Sequence, residues 1–402
     1  MRVLTFTTLF PNAAMPNFCV FVKYRMEAFA ALPGNALRVV APVPYAPGFL
    51  AETGWGRFTR VPRAERQDAV EVCHPRYPLL PKVSMQVHWL LLVAGALATV
   101  RRLRRSFPFE LIDSHFVYPD GLAAVLLGKL FRVPVVLSAR GSDVHEFSHL
   151  PTIRPMIRRA LGSCDAIISV CRALRDRMVA LGAPGEKISV IPNGIDLRRF
   201  PLVDRAEARA ALGLPAQAQI VLSVGALKEL KGHHLTIEAL EKVSTRFPRA
   251  RLHIVGEGLQ RPALEAKIAE RGLQNRVALV GERPNRELYL WYNAADCFCL
   301  ASSREGWANV LMESLACGTP VVATNVWGAP EIVTTPEVGL LCAREPGDLA
   351  AKLQAALART WDRAAIRAHV AGRTWETVGR EVAAVFEGVL ARRGAPRVAG
   401  EG

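Results

Sequence analysis

The chain has 402 residues, half of them hydrophobic, and a formal net charge of +15. That length exceeds what one core usually supports, and the hydrophobic share excludes wholesale disorder, so two globular domains are expected. The charge is uneven: residues 1–190 hold 24 Lys/Arg against 13 Asp/Glu, net +11, which leaves 27 against 23, net +4, for the rest, so the first half faces something acidic or is simply well solvated.

The N-terminal MRVLTFTTLF is too short an apolar run for a secretory signal and reads as a strand. Strands are predicted at 2–7, 37–41, 110–114, 134–139 and 166–170, with helical patterns at 20–31, 86–105, 120–130 and 172–181. This alternation predicts a parallel sheet with crossover helices. Residues 42–85 are richer in Pro, Gly and Arg and read as an irregular insertion with one more strand near 69–73. The longest apolar run, WLLLVAGALATV at 89–100, falls short of the roughly 20 residues that a spanning helix needs, so a soluble or peripheral protein is expected. The segment VIPNGIDLRRF at 190–200, with its Pro-Asn-Gly turn, reads as a hinge between domains.

A second series begins near residue 219: QIVLSVGAL, HHLTIEALEKVSTRF, ARLHIVGEG, LQRPALEAKIAERG, RVALVGE, RELYLWYNAA and DCFCLAS alternate strand and helix. REGWANVLMESLACGTPVV at 304–322 then reads as loop, helix over 309–317, a Gly-Pro stop and a short buried strand. Two doubly wound domains in tandem follow. The eight cysteines have no CxxC pair and no histidine at zinc spacing, and they read as reduced core thiols of a cytosolic protein, Cys297 and Cys299 sharing one face of a strand. The last ten residues, RGAPRVAGEG, read as a frayed tail.

Open parallel sheets bind ligands at the carboxyl ends of their strands, so function is expected in the loops that follow them. In GALKELKG, Gly225 lets the chain leave its strand, and Lys228 and Lys231 place cations where a phosphate could be met. In SSREGWAN, small Gly306 and Ala308 let the amides of a helix N-terminus approach an anion. Glu305 and Glu313, eight positions apart, suit hydroxyl groups, since a carboxylate accepts two hydroxyl hydrogen bonds as in ribose or pyranose recognition. A diphosphate between two sugars accounts for both features. GEGLQR, with Gly256, is half of a dinucleotide fingerprint with Arg261 in place of its third glycine, and the first loop, FTTLFPNAAMPNF, holds no glycine, which disfavours a nicotinamide dehydrogenase. No P-loop, GxSxG elbow or DxD pair is present.

DSHFVYPDG, RGSDVHEF, VIPNGID, VGALKELKG, VGEG, NAADCFCLASSREGWANVLMESLACGTPVVAT and GAPEIV together resemble the retaining glycosyltransferases of family 4, the group 1 set with the GT-B fold. The resemblance spans nearly the whole chain, with Glu305 and Glu313 as the family's E-x7-E element. It implies two Rossmann-like doubly wound α/β domains facing across a cleft: an acceptor-side domain at 1–190, a nucleotide-sugar domain at 191–370, and a C-terminal helix with tail at 371–402 that returns to the first domain. It also implies Glu313 on the ribose, Glu305 near the transferred sugar, and the amides of Gly306, Trp307, Ala308 and Asn309 with Lys231 on the diphosphate. Gly225, Lys228 and Gly256 complete the donor side. The family's arginine after the loop glycine is Ala226 here, and the histidine that often precedes the GSD loop is Arg140; His115 and Asp143 are further polar candidates, while acceptor contacts around Asn17 stay unassigned.

The resemblance implies transfer from a nucleoside diphosphate sugar to a saccharide or lipid-linked acceptor in cell-surface polysaccharide or glycolipid synthesis, with no cofactor, no metal ligand set and no nucleic acid partner. The expected location is cytoplasmic, peripheral to the membrane if the run Arg101, Arg102, Leu103, Arg104, Arg105 meets an anionic surface; a solvated helix end is the other reading. A nucleotide-sugar epimerase or a phosphorylase of the same architecture, or a non-catalytic sugar-nucleotide-binding protein, are the alternatives.

Overall fold

The computed structural model describes residues 1–48, 52, 54–79 and 84–394. The chain forms two compact units: residues Met1–Gly194 joined by the C-terminal helix Trp375–Gly394, and residues Ile195–Thr374. Both are mixed α/β, and each is organised around a parallel sheet.

Sixteen strands are described, ten of them in the first unit: β1 (Arg2–Phe6), β2 (Ala36–Val40), β3 (Val43–Pro44), β4 (Ala64–Gln67), β5 (Val70–Cys73), β6 (Arg76–Tyr77), β7 (Leu111–His115), β8 (Val135–Ala139), β9 (Ala166–Ser169) and β10 (Ile188–Val190). Eight form one sheet in the order β10-β9-β8-β7-β1-β2-β5-β4, parallel except for the β4–β5 pair. Strands β7 (LIDSH) and β8 (VVLSA) are buried at every position, as expected of strands covered by helices on both faces. Chain order reverses between β1 and β7, so the loops after these two strands diverge and leave a crevice.

The region 42–85 departs from the irregular insertion expected of it. Strand β5 lies where a strand was predicted, but β4 folds back on it and extends the main sheet, while β3 and β6 make a separate two-stranded ribbon. Alternating Val70 and Val72, buried against the core, supply the period-two signal that the surrounding Pro and Arg residues obscure. Its residues 49–51, 53 and 80–83 lie outside the described residues, as does the expected tail from 395 onward.

The second unit contributes β11 (Gln219–Val224), β12 (Ala250–Val255), β13 (Val277–Gly281), β14 (Cys297–Leu300), β15 (Val321–Thr324) and β16 (Gly339–Cys342). They form an all-parallel sheet in the order β13-β12-β11-β14-β15-β16, with the switch point between β11 and β14. Helices cover both faces and produce two apolar cores, one around Phe298, Leu311 and Leu315, the other around Ile237, Leu240 and Leu353. Cys297 and Cys299 are free thiols packed in the second of these.

The C-terminal helix lies along the helix Val20–Ala30 of the first unit. Phe29 meets Phe386 edge-on at 5.2 Å and Tyr24 meets Trp375 at 5.8 Å. The helices approach so closely at Gly379 that a Cβ there would sit 2.7 Å from the Ala28 carbonyl.

Candidate functional site

In the second unit the predicted residues gather at the switch point. Strands β11 and β14 are parallel neighbours, so the loops that leave them, 225–232 and 301–308, start side by side. Two features lock the loops together: the Ser303 amide donates to the Leu230 carbonyl at 2.8 Å, and Gly232 (φ +70°) packs so tightly that a Cβ would lie 2.0 Å from the Ala301 carbonyl oxygen. Only glycine satisfies both the left-handed backbone and that contact.

This juxtaposition brings Lys231 onto Glu305. The ammonium lies 2.6 Å from Glu305 Oε1, and the Ser302 hydroxyl donates to the same oxygen at 2.6 Å. Both side chains are partly buried, so the pair is screened less than a surface ion pair. Lys228 is exposed on the same loop, as is Ala226. Gly225 ends β11, and Gly256, after β12, passes beneath it: a Cβ on Gly256 would meet the Gly225 carbonyl at 2.0 Å. Gly256 therefore supports the loop from below.

Gly306, Trp307 and Ala308 lead into the helix Asn309–Ala316, whose N-terminus no side chain caps. Its dipole thus favours an anion at this end, while the Asn309 amide itself donates to the Trp307 carbonyl at 3.1 Å. Trp307 is half-buried, with its indole Nε1 buried and without a hydrogen-bond partner. Glu313 sits one turn further along and accepts a 2.8 Å hydrogen bond from the Tyr292 hydroxyl on Oε2. Burial pushes its carboxyl up to about 7, against the lowering effect of that hydrogen bond. Tyr292 and Ser302, which sequence reading did not single out, act through these contacts; the tyrosine in YNAAD and the first serine of SSREG are the only local signals for them.

The remaining three predicted residues lie in the first unit, at the ends of β7 and β8. His115 closes β7; its Nδ1 accepts from Arg140 Nη2 at 2.5 Å and its Nε2 lies 2.8 Å from Asp113 Oδ2. Burial lowers the histidine to about 4, so it is neutral and free to accept from the guanidinium. Arg140 Nη1 donates to Asn193 Oδ1 at 3.1 Å, and Asn193 also accepts from the fully buried Arg25 at 3.2 Å. The Asp143 carboxylate is turned inward onto the amides of Val117 (2.7 Å), Gly141 (2.8 Å) and Arg140 (3.1 Å), which fixes the loop after β8. A further buried carboxylate, Asp120, accepts from the Thr8 amide at 2.6 Å and from the Thr7 and Thr8 hydroxyls, so it holds the loop after β1. Burial pushes Asp120 up to about 7. Asn17 is exposed on that loop. Among the described residues no group of three His, Cys, Asp or Glu could hold a metal ion.

Known proteins share this plan. Residues 204–370 match the family described as glycosyl transferases group 1, and residues 39–199 match glycosyltransferase family 4. The D-inositol 3-phosphate glycosyltransferase of Thermobispora bispora is 34% identical over 314 residues, covering 71% of this chain and 72% of the relative. TuaC of Bacillus subtilis (strain 168), assigned as a glycosyltransferase of teichuronic acid biosynthesis, is 29% identical over 83% of each chain. Among solved structures, a sucrose-phosphate synthase of Thermosynechococcus elongatus superposes with a TM-score of 0.79 at 22% identity, covering 97% of this chain and 99% of the other. HepE of Anabaena in complex with UDP superposes with a TM-score of 0.73 at 21% identity, covering 96% and 100%. At these identities the two structures speak for the fold.

Proposed function

The chain belongs to glycosyltransferase family 4, the group 1 glycosyltransferases with the GT-B fold, and from that premise we propose that its second unit binds a nucleoside diphosphate sugar whose sugar passes, with retention, to a saccharide or lipid-linked acceptor on the first unit. The observation that carries this reading is the Lys231–Glu305 contact at the switch point of the second sheet, beside an uncapped helix N-terminus. One cation and the N-terminal end of a helix dipole suit a diphosphate, and a neighbouring carboxylate suits the sugar attached to it. HepE, whose solved complexes contain UDP and UDP-glucose, supports the donor class.

In the proposed chemistry the bond between the anomeric carbon and the diphosphate oxygen breaks, and its electron pair leaves with the diphosphate. The amides of Gly306, Trp307 and Ala308 and Lys231 meet the charge that develops there, with Lys228 exposed on the same loop, in which Ala226 stands where the family has an arginine. Glu305 steadies the sugar as it gains oxocarbenium character. The acceptor hydroxyl attacks on the face the diphosphate leaves and gives its proton to the departing phosphate. Glu313, oriented by Tyr292, accepts from the ribose hydroxyls.

A role in cell-surface polymer or glycolipid synthesis is supported by the likeness to TuaC. No described helix is long and apolar enough to cross a membrane. Contact with an anionic membrane surface is supported by three neighbouring helices of the first unit, His88–Ser106, Leu122–Phe131 and Arg154–Ser163, which contain no Asp or Glu. They expose Arg101, Arg102, Arg105, Lys129, Arg158 and Arg159.

The test is transfer from UDP-, GDP- and ADP-linked sugars labelled in the sugar, with product configuration read by NMR. The expected product is a glycoside of unchanged anomeric configuration, formed equally well in EDTA because Lys231 and the amides of Gly306, Trp307 and Ala308 supply the charge. An inverted glycoside, or a freed sugar phosphate in place of a glycoside, would remove the reading.

A further inference from the structure

We propose that Arg140 is the receptor for an anionic group, a carboxylate or a phosphate, carried by one of the two sugar substrates; this rests on the glycosyltransferase reading above. Buried guanidinium groups are normally paired with a carboxylate. Arg209 in the second unit follows that rule, lying 2.7 Å from Asp296. Arg140 makes no such contact: its guanidinium meets the neutral His115 ring and the Asn193 amide oxygen, and its Nε is buried with no partner, while Asp113 and Asp143 favour its charge without touching it.

The neighbouring carboxylates are committed elsewhere. Asp143 is held by three backbone amides, and Asp113 faces His115 and the Thr5 hydroxyl. The ring of Phe21 lies 5.2 Å from the guanidinium carbon and fixes its plane. Two of five N–H donors are used, which leaves three.

The side chain is partly exposed, at the carboxyl end of β8, where open sheets take their ligands. A planar cation that touches only neutral groups and retains free donors matches the two oxygens of a carboxylate or phosphate.

The experiment uses the full chain. Ligand-observed NMR compares glucose 6-phosphate and glucuronate with glucose as free sugars, and turnover compares UDP-glucuronate with UDP-glucose and phosphorylated with plain glucose acceptors. Wild type should favour an anionic member over its neutral partner by about 10-fold or more, the scale of a hydrogen bond to a charged group. Arg140→Gln should erase the preference and Arg140→Lys should keep part of it. Preference among donors places the anion on the transferred sugar; preference among acceptors places it on the acceptor.

No preference in wild type overturns the proposal without recourse to any variant. An equal loss on charged and neutral members in Arg140→Gln assigns the residue to holding Asn193 instead. Anion binding by NMR with no transfer from any nucleotide sugar counts against the transferase reading while leaving the Arg140 subsite in place.

Discussion

Lys231 and Glu305 show why neighbouring residues on one site need separate tests. Lys231→Ala and Glu313→Ala should each weaken binding of the bare nucleoside diphosphate by about 1.5 to 3 kcal/mol, the range for hydrogen bonds to charged groups, as measured by calorimetry. Glu305→Gln retains an oxygen for Lys231 and Ser302 while removing the charge, so nucleotide affinity should hold or rise as turnover falls. Equal losses of affinity and turnover would place Glu305 on the nucleotide. Protonation adds a second handle. With Glu313 raised to about 7, donor affinity should strengthen as pH rises through that value, and Glu313→Gln should flatten the profile. Asp120 makes the corresponding statement for stability. Its carboxyl rises from 3.8 to about 7 on folding, so the folded chain holds a proton that the unfolded chain releases. Its contribution is therefore full below the unfolded value and lost as pH climbs through the folded one. Urea melts at pH 5, 6 and 7 should show a decline of roughly 1 to 3 kcal/mol that Asp120→Asn reduces.

At the scale of elements, the site depends on how two loops are held rather than on the strands that carry them. Parallel pairing of β11 with β14 puts the loop origins side by side, but the approach of Gly232 to Ala301 sets the distance that lets Lys231 reach Glu305. Gly232→Ala combines a left-handed backbone with a clash against a carbonyl, and should cost roughly 2 to 4 kcal/mol in urea melts. Nucleotide affinity should fall with it. An Ala variant with wild-type stability and affinity would show that the loops tolerate separation.

Across the whole molecule, charge is arranged by unit, and net +11 in residues 1–190 is concentrated by three acid-free helices. The apolar run at 89–100 is divided between roles: Leu92, Val93, Ala96 and Val100 are buried, while Leu90 stays 43% exposed. Basic residues near an anionic leaflet contribute about 1 kcal/mol each, so the cluster should hold the protein reversibly on vesicles of phosphatidylglycerol. Sedimentation should show binding at low salt that is lost at high salt and in a variant with Arg101, Arg105, Arg158 and Arg159 changed to Gln. A purified chain that ignores such vesicles at low ionic strength would end the membrane proposal and leave the glycosyltransferase assignment untouched.

The sequence by itself determined the alternation of strand and helix, because buried parallel strands such as CFCL and VVAT are short apolar runs set between amphipathic helices, a local signal. It also marked Glu305 and Lys231, whose loops are punctuated by glycine, and Glu313 on the helix that follows. Strand order was decided by the tertiary structure, including the incorporation of β4 and β5 into the first sheet, since pairing joins segments far apart in the chain. So were the partners: Tyr292 for Glu313, Ser302 for Glu305, and Asn193 and His115 for Arg140. Residue type states which hydrogen bonds a side chain can make; only burial and packing decide which are made, and they alone turn Asp143 inward and leave Arg140 without a carboxylate.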